Sequence, residues 1–225
     1  QQFGSANLFI AQSLSGNENL VDVYQDGSSN EFLIQPIQGD VNEIAVNQEG
    51  NTNVVEAATG MVGNYNTVDA NQEGDNNYAV FATEGDDHII EMDQRGDDNI
   101  AVAESYGSFN DIYISSRGDE NFNGVALIGS GNEADSRQIG DVNTAEIVIA
   151  GDDNDVYSRQ HGDSNTLLAY SYDAGTTSDN DLQSTQTGDI NLIDTIIGGS
   201  DNVIAFAQEG NSNVIAGEIG RASCR

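Results

Sequence analysis

The chain has 225 residues, with 38 acidic side chains against 6 basic ones, all arginine, for a formal net charge of −32. Charge of that sign excludes nucleic acid and anionic membrane surfaces as partners, since both need basic patches, and no apolar run approaches the ~18–20 residues of a membrane span. High charge with 37% hydrophobic residues is a composition shared with disordered chains, so residue order has to decide.

The N-terminus, Gln1-Gln2-Phe3-Gly4, has neither a charged n-region nor an apolar h-region, and a secretory signal is expected to have been removed already. From Gly4 onward the word Gly-x-x-Asn recurs. One series runs Gly4/Asn7, Gly27/Asn30, Gly50/Asn53, Gly74/Asn77, Gly96/Asn99, Gly118/Asn121, Gly140/Asn143, Gly162/Asn165, Gly188/Asn191 and Gly210/Asn213. A second lies between: Gly16/Asn19, Gly39/Asn42, Gly63/Asn66, Gly107/Asn110, Gly129/Asn132, Gly151/Asn154 and Gly199/Asn202, with Gly85/His88 and Thr177/Asn180 as degenerate copies. The unit is about 22 residues in two halves of about 11, and disorder does not generate such a period.

Between the words apolar residues alternate with period two, which predicts β-strands. Second-series words are followed by Val21-Val23-Gln25, Ile44-Val46-Gln48, Val68-Ala70-Gln72 and Ile90-Met92-Gln94, then Ile112-Ile114-Ser116, Ala134-Ser136-Gln138, Val156-Ser158-Gln160 and Ile204-Phe206-Gln208 at alternate positions. First-series words lead into Ala79-Phe81, Ala101-Ala103, Val125-Leu127, Ala145-Ile147 and Ile193-Thr195. The residues between these are mostly Asp, Glu, Tyr, Arg or Ala and suit a solvated face. The predicted fold is all-β: a parallel β-solenoid of about ten strand–turn–strand rungs over residues 1–220, forming two facing parallel sheets, with a tail at 221–225. Asn213–Ile219 is expected to be a half-rung without a partner strand.

Three groups of residues carry the expected function. Gln25, Gln48, Gln72, Gln94, Gln138, Gln160, Gln186 and Gln208, with Asn53, Asn77, Asn99, Asn121, Asn143, Asn165, Asn191 and Asn213, point inward and stack as amide ladders, because a buried amide left unpaired costs about 1–3 kcal/mol. Gly27, Gly50, Gly74, Gly96, Gly118, Gly140, Gly162, Gly188 and Gly210 occupy turns that demand φ > 0, and the Asn of each word tolerates that region too. Asp75, Asp97, Asp119, Asp141, Asp163 and Asp189 follow the first-series Gly and line one edge at a spacing of ~4.8 Å. Neighbours there repel by about 0.9 kcal/mol in bulk dielectric, relieved by salt, Ca²⁺ or the nearby Arg95, Arg117 and Arg159. The column reads either as a solubilising surface or as cation sites.

Longer spacings place their extra residues around Pro36, around Gly60-Met61-Val62 and at Asp173-Ala174-Gly175-Thr176-Thr177, so one edge accepts loops. His88 and His161 read as solvated surface residues. Acid pairs such as Asp86-Asp87 and Asp152-Asp153 decorate turns without converging, and with no Ser-His-Asp set, two-His cluster or phosphate loop, catalysis and a cofactor are not expected. Cys224 has no partner for an intramolecular disulfide.

The full word, Gln-x-Gly-x-x-Asn-x-Ala followed later by Gln, resembles the curlin repeat, most closely in Gln72-Glu73-Gly74-Asp75-Asn76-Asn77-Tyr78-Ala79 and Gln94-Arg95-Gly96-Asp97-Asp98-Asn99-Ile100-Ala101. The resemblance extends over residues ~2–220, although the Ser-led half-repeat of that family is mostly missing. It implies a secreted bacterial protein that self-assembles with identical subunits into curli-type functional amyloid of a biofilm matrix, served by a nucleator and a secretion channel. Two other classes stand beside it: a capped, monomeric solenoid acting as an adhesin, and a calcium-dependent surface binder.

Overall fold

The computed structural model describes residues 1–171 and 179–219; the insertion at 173–177, Thr177 of the degenerate word, Gly220 and the tail with Cys224 lie outside them. The described residues form ten rungs. The first strand of each rung lies in a ten-stranded sheet and the second in a facing sheet of twelve, and neighbouring strands pair in parallel. Rung 1 begins at Gln2–Ser5 and Leu8–Ala11; rung 4 is Thr67–Glu73 with Tyr78–Asp86, rung 5 Ile89–Arg95 with Ile100–Ser108, and rung 10 Val203–Glu209 with Val214–Ile219. Like stands over like: Gln48 pairs with Gln72, Gln72 with Gln94, and Gly27 with Gly50.

Strand alternation builds the core. Ile44, Val68, Ile90 and Ile112 of the first sheet and Ala79, Phe81, Ala101 and Ala103 of the second are fully buried. Volume is traded within a rung: Phe81 accompanies Ala70, Met92 accompanies Ala103, and Ile147 accompanies Ser136, which keeps the gap between sheets constant.

Four expectations need correction. First, Asn213–Ile219 is not a half-rung: Val214–Ile219 pairs with Leu192–Ile197, and Val203–Glu209 is the first strand of the same rung. Val21 and Val23 accordingly belong to rung 2. Second, the extra residues at Pro36 and Gly60 do not project as loops. They prolong the second sheet through Leu14–Ser15, Ile37–Gln38 and Val54–Val62, with Ile37 and Met61 fully buried and the Met61 N–H bonded to the Pro36 carbonyl at 3.3 Å. Pairing then shifts register between Phe81 and Thr83, so the additions of the first three rungs stack on one another as a bulge.

Third, the Asn of each word does not take the positive-φ position; the residue before it does. Thr52, Tyr65, Asn76, Phe109, Val142 and Ile190 all lie at φ near 60°. For a β-branched residue this costs roughly 1–2 kcal/mol, offset by the two-sided pairing of the Asn that follows. Fourth, Asn123 occupies the first inward position of its strand, in register with Ala101, and is buried.

The Gly of the word is forced twice. At Gly118 φ is +117°, and a Cβ would sit 2.3 Å from the Gly140 carbonyl oxygen in the next rung. Gly118→Ala is expected to lose about 2–3 kcal/mol or more of unfolding free energy. Gly217, whose Cβ would meet nothing within 4 Å, should accept Ala within ~0.5 kcal/mol. Urea unfolding followed by circular dichroism distinguishes the two; equal effects would show that rung contact does not select the turn glycine.

Candidate functional site

Three inward amide columns run along the solenoid, and a column of carboxylates lines one edge from Asp75 to Asp189. In the first, each Gln followed by another Gln from Gln25 onward uses both amide hydrogens. Nε2 of Gln48 donates to Gln72 Oε1 at 2.9 Å and also to the Glu31 carbonyl of the facing sheet at 3.1 Å. Gln25→Gln48, Gln72→Gln94, Gln138→Gln160, Gln160→Gln186 and Gln186→Gln208 repeat the first bond at 2.8–3.0 Å. Gln94, Gln138, Gln160, Gln186 and Gln208 repeat the second, to Tyr78, Phe122, Thr144, Thr166 and Leu192. The column thus ties rung to rung and sheet to sheet. Ser116 interrupts it, its hydroxyl donating to Gln138 Oε1 at 3.2 Å.

The Asn column works in the opposite sense. The backbone N–H of Asn77 donates back to Asn53 Oδ1 at 2.9 Å, while Asn77 Nδ2 reaches the same oxygen at 3.2 Å and the Gly96 carbonyl at 2.7 Å. Asn99, Asn121, Asn143, Asn165, Asn191 and Asn213 continue the backbone-to-Oδ1 bond at 3.0–3.1 Å. The side chain therefore caps the backbone donor that the tight turn leaves unpaired.

The second-series turns hold a parallel column, and there His88 stands in the Asn slot. It is fully buried, contrary to the surface position expected for it, whereas His161 is exposed. His88 Nδ1 accepts from the Asn110 N–H at 3.3 Å and lies 2.9 Å from Ser105 Oγ; Nε2 has no hydrogen-bond partner. Burial pushes its pKa below the ordinary histidine value, and the backbone groups of Glu84 and Gly107 and the Asp86 carboxylate, which pull the other way, do not overcome it. The sequence signal was present: Thr83 and Ser105 place hydroxyls beside this position where Leu127 and Ile149 stand in later rungs.

At the outer edge, Asp75, Asp97, Asp119, Asp141, Asp163 and Asp189 do form one column. Oδ1 of each accepts the backbone N–H one rung earlier, from Asn51, Asp75, Asp97, Asp119, Asp141 and Asp163 in turn, at 2.8–3.0 Å. A charge-assisted bond of this kind is worth about 1.5–3 kcal/mol, against about 0.9 kcal/mol of repulsion per neighbouring pair, so the bond to the backbone wins. Among the described residues no arginine pairs with this column: Arg95 pairs with Asp93 at 3.3 Å and Glu73 at 3.9 Å, and Arg137 with Asp135 at 2.7 Å. Among the described residues no three His, Cys, Asp or Glu side chains group closely enough to hold a metal ion. Ser136, Ser158 and Ser184, stacked in register and buried, have hydroxyls with no partner.

A family model described as "Curlin associated repeat" matches residues 63–94. That span contains a second-series turn, the first strand of rung 4, the Gly74-Asp75-Asn76-Asn77 turn, the second strand, and the next first strand as far as Gln94. It thus holds two residues of the Gln column, Gln72 and Gln94, with Asn77 and Asp75 of the other two. No curated protein matches the chain.

Two outcomes follow. Asp119→Asn keeps the Oδ1 acceptor and removes repulsion, so stability should hold or rise, whereas Asp119→Ala should lose about 1–2 kcal/mol; identical urea midpoints would show that the bond to Asp97 N–H contributes nothing. For His88 the folded pKa lies below the unfolded value, so the unfolded chain takes up the proton first. Stability should fall as pH drops below ~6.5, by at most ~1.4 kcal/mol per pH unit, until the folded pKa is passed. Subtracting the same pH series for His88→Asn, which restores the ladder amide, isolates this contribution; a difference flat between pH 7.5 and 5 would refute it.

Proposed function

We propose that the chain is a secreted structural subunit, without catalytic function, that stacks head to tail into a curli-type amyloid fibre of an extracellular matrix. The observation that carries this is the polarity of the columns. Gln amides donate toward the later rung wherever another Gln follows, and Asn side chains accept from it. Two solenoid ends therefore present complementary groups only when stacked with the same polarity; reversed, donors meet donors.

The end rungs fit that joint. Gln208 Oε1 already accepts from Gln186, and Gln2 Nε2 already donates to Gln25, leaving Gln208 an Nε2 hydrogen and Gln2 an oxygen to meet across the junction. Asn213 Oδ1 stands above as Asn191 Oδ1 does below it, ready for the N–H of Asn7. Phe206 and Ile215 are partly buried against the core and continue onto the apolar first rung. Open strand edges at either end template further pairing. Ten rungs at ~4.8 Å give a rise of about 48 Å per subunit. A nucleator and a secretion channel of the curli type complete the proposal, on the strength of the matched repeat.

Phe206→Lys, which places a charge on the inward face of rung 10, should stop elongation of seeded fibres, while the outward Asp22→Ser should leave the rate within about twofold. Fibre growth followed by amyloid-dye fluorescence and electron microscopy reads both. Normal growth of Phe206→Lys would refute the joint, and a protein that stays monomeric at every salt concentration would favour the capped-binder class.

A further inference from the structure

The two outward faces of the solenoid differ in chemistry. On the first sheet, rungs 4 to 7 carry Asp69, Glu91, Asp93, Arg95, Arg117 and Asp135 outward. On the second sheet the same heights carry Tyr78 and Val80, Ile100 and Val102, Phe122, and Val148, followed by Leu168 in rung 8. These side chains alternate with fully buried Ala79, Phe81, Ala101 and Ala103, so they point away from the core. They are half-buried by their neighbours above and below, with Ile100 38% exposed. None is needed inside, and together they form an apolar stripe along the axis that only Glu104 and Glu146 interrupt in these columns.

Resting on the fibre reading above, we infer that this stripe is the face through which two fibres of this chain pair laterally, second sheet against second sheet. Area selects the occupant. Three outward columns span about 17 Å and five rungs about 24 Å, or roughly 400 Å² per chain. That is about half of the ~800 Å² per partner found in stable complexes, so single chains stay apart. Stacking subunits adds the same strip again at each ~48 Å, so pairing becomes favourable only for a fibre several subunits long. A second copy also matches the stripe's period, because its side chains repeat at the same ~4.8 Å and interdigitate in a dry zipper. The first sheet is the poorer partner, since it presents more ions per rung (Asp69, Glu91, Asp93, Arg95, Arg117 and Asp135), and burying each costs several kcal/mol. Glu104 and Glu146 lie on the pairing face, so the contact needs salt; at 0.15 M the screening length is about 8 Å.

The test is mass per unit length of fibres by dark-field electron microscopy. Wild-type fibres at about 0.15 M NaCl should hold two chains per ~48 Å, and one at about 0.01 M, where the screening length is about 30 Å. The triple variant Val80→Thr, Val102→Thr, Leu168→Thr keeps strand-forming residues and should elongate at the wild-type rate yet remain at one chain per rise at both salts. A first-sheet control, Asp69→Asn, should still pair. Wild-type fibres that stay single at every salt overturn the inference while leaving the subunit reading intact, and pairs that survive the triple variant overturn it by assigning pairing to another face. Absence of fibres altogether sinks the subunit reading itself, and this inference with it.

Discussion

Everything in this molecule depends on one translation: each rung repeats the last at ~4.8 Å with its residues in register. A buried amide leaves a group costing about 1–3 kcal/mol when unpaired, and a core packed with Gln and Asn would be untenable in an ordinary globule. Here most of these amides find the same amide one step along, as Gln72 does between Gln48 and Gln94. The polar core is stable because it is periodic, and the apolar residues between, Ile90 and Ala101 among them, supply the burial that makes the two sheets close.

Much of this was legible in the sequence. Period-two alternation gave strands, the two Gly-x-x-Asn series gave two turns per rung, and recurring inward Gln pointed to ladders. What escaped has physical causes. The phase of the rung was misjudged because a periodic pattern does not say where one turn of the coil begins, so Val214–Ile219 was read as half a rung. His88 was read as surface because it lies in a turn; that an imidazole nitrogen can replace an amide oxygen as acceptor for Asn110 N–H needs the geometry. The positive-φ residue was assigned to Asn on intrinsic preference, whereas the turn gives that cost to whatever precedes it, even Val142 or Ile190. The apolar second face was missed because outward positions were read chiefly from the acidic first-sheet strands.

The charge finds its place in the same scheme. Edge carboxylates are spent on backbone N–H groups, and four of the arginines lie on the first sheet alone, at Arg95, Arg117, Arg137 and Arg159. Within that sheet Asp111 and Asp155 are pushed up from the ordinary carboxylate value, by burial first and then by the Glu133 stacked between them. On the other sheet, burial and then the Glu56 carboxylate, 2.8 Å from its hydroxyl, push the Tyr78 phenol up to about 12. A protein of net charge −32 thus keeps its arginines among the described residues to one face, while the other carries scattered carboxylates such as Glu56, Glu104 and Glu146.

Perfect translation would carry a hazard, because a chain of identical rungs can fold one rung out of step with almost no change in energy. The departures from the pattern remove that degeneracy. Ser116 breaks the Gln column at rung 6, His88 breaks the second-series Asn column between rungs 4 and 5, and the bulge through Pro36 and Gly60 marks the first rungs. A slip of 22 residues would set Gln94 where Ser116 belongs, place His88 without Ser105, and force a bulged strand onto a straight one. These few irregular residues act as index marks on an otherwise featureless ruler, letting a repetitive sequence count its own turns as it folds.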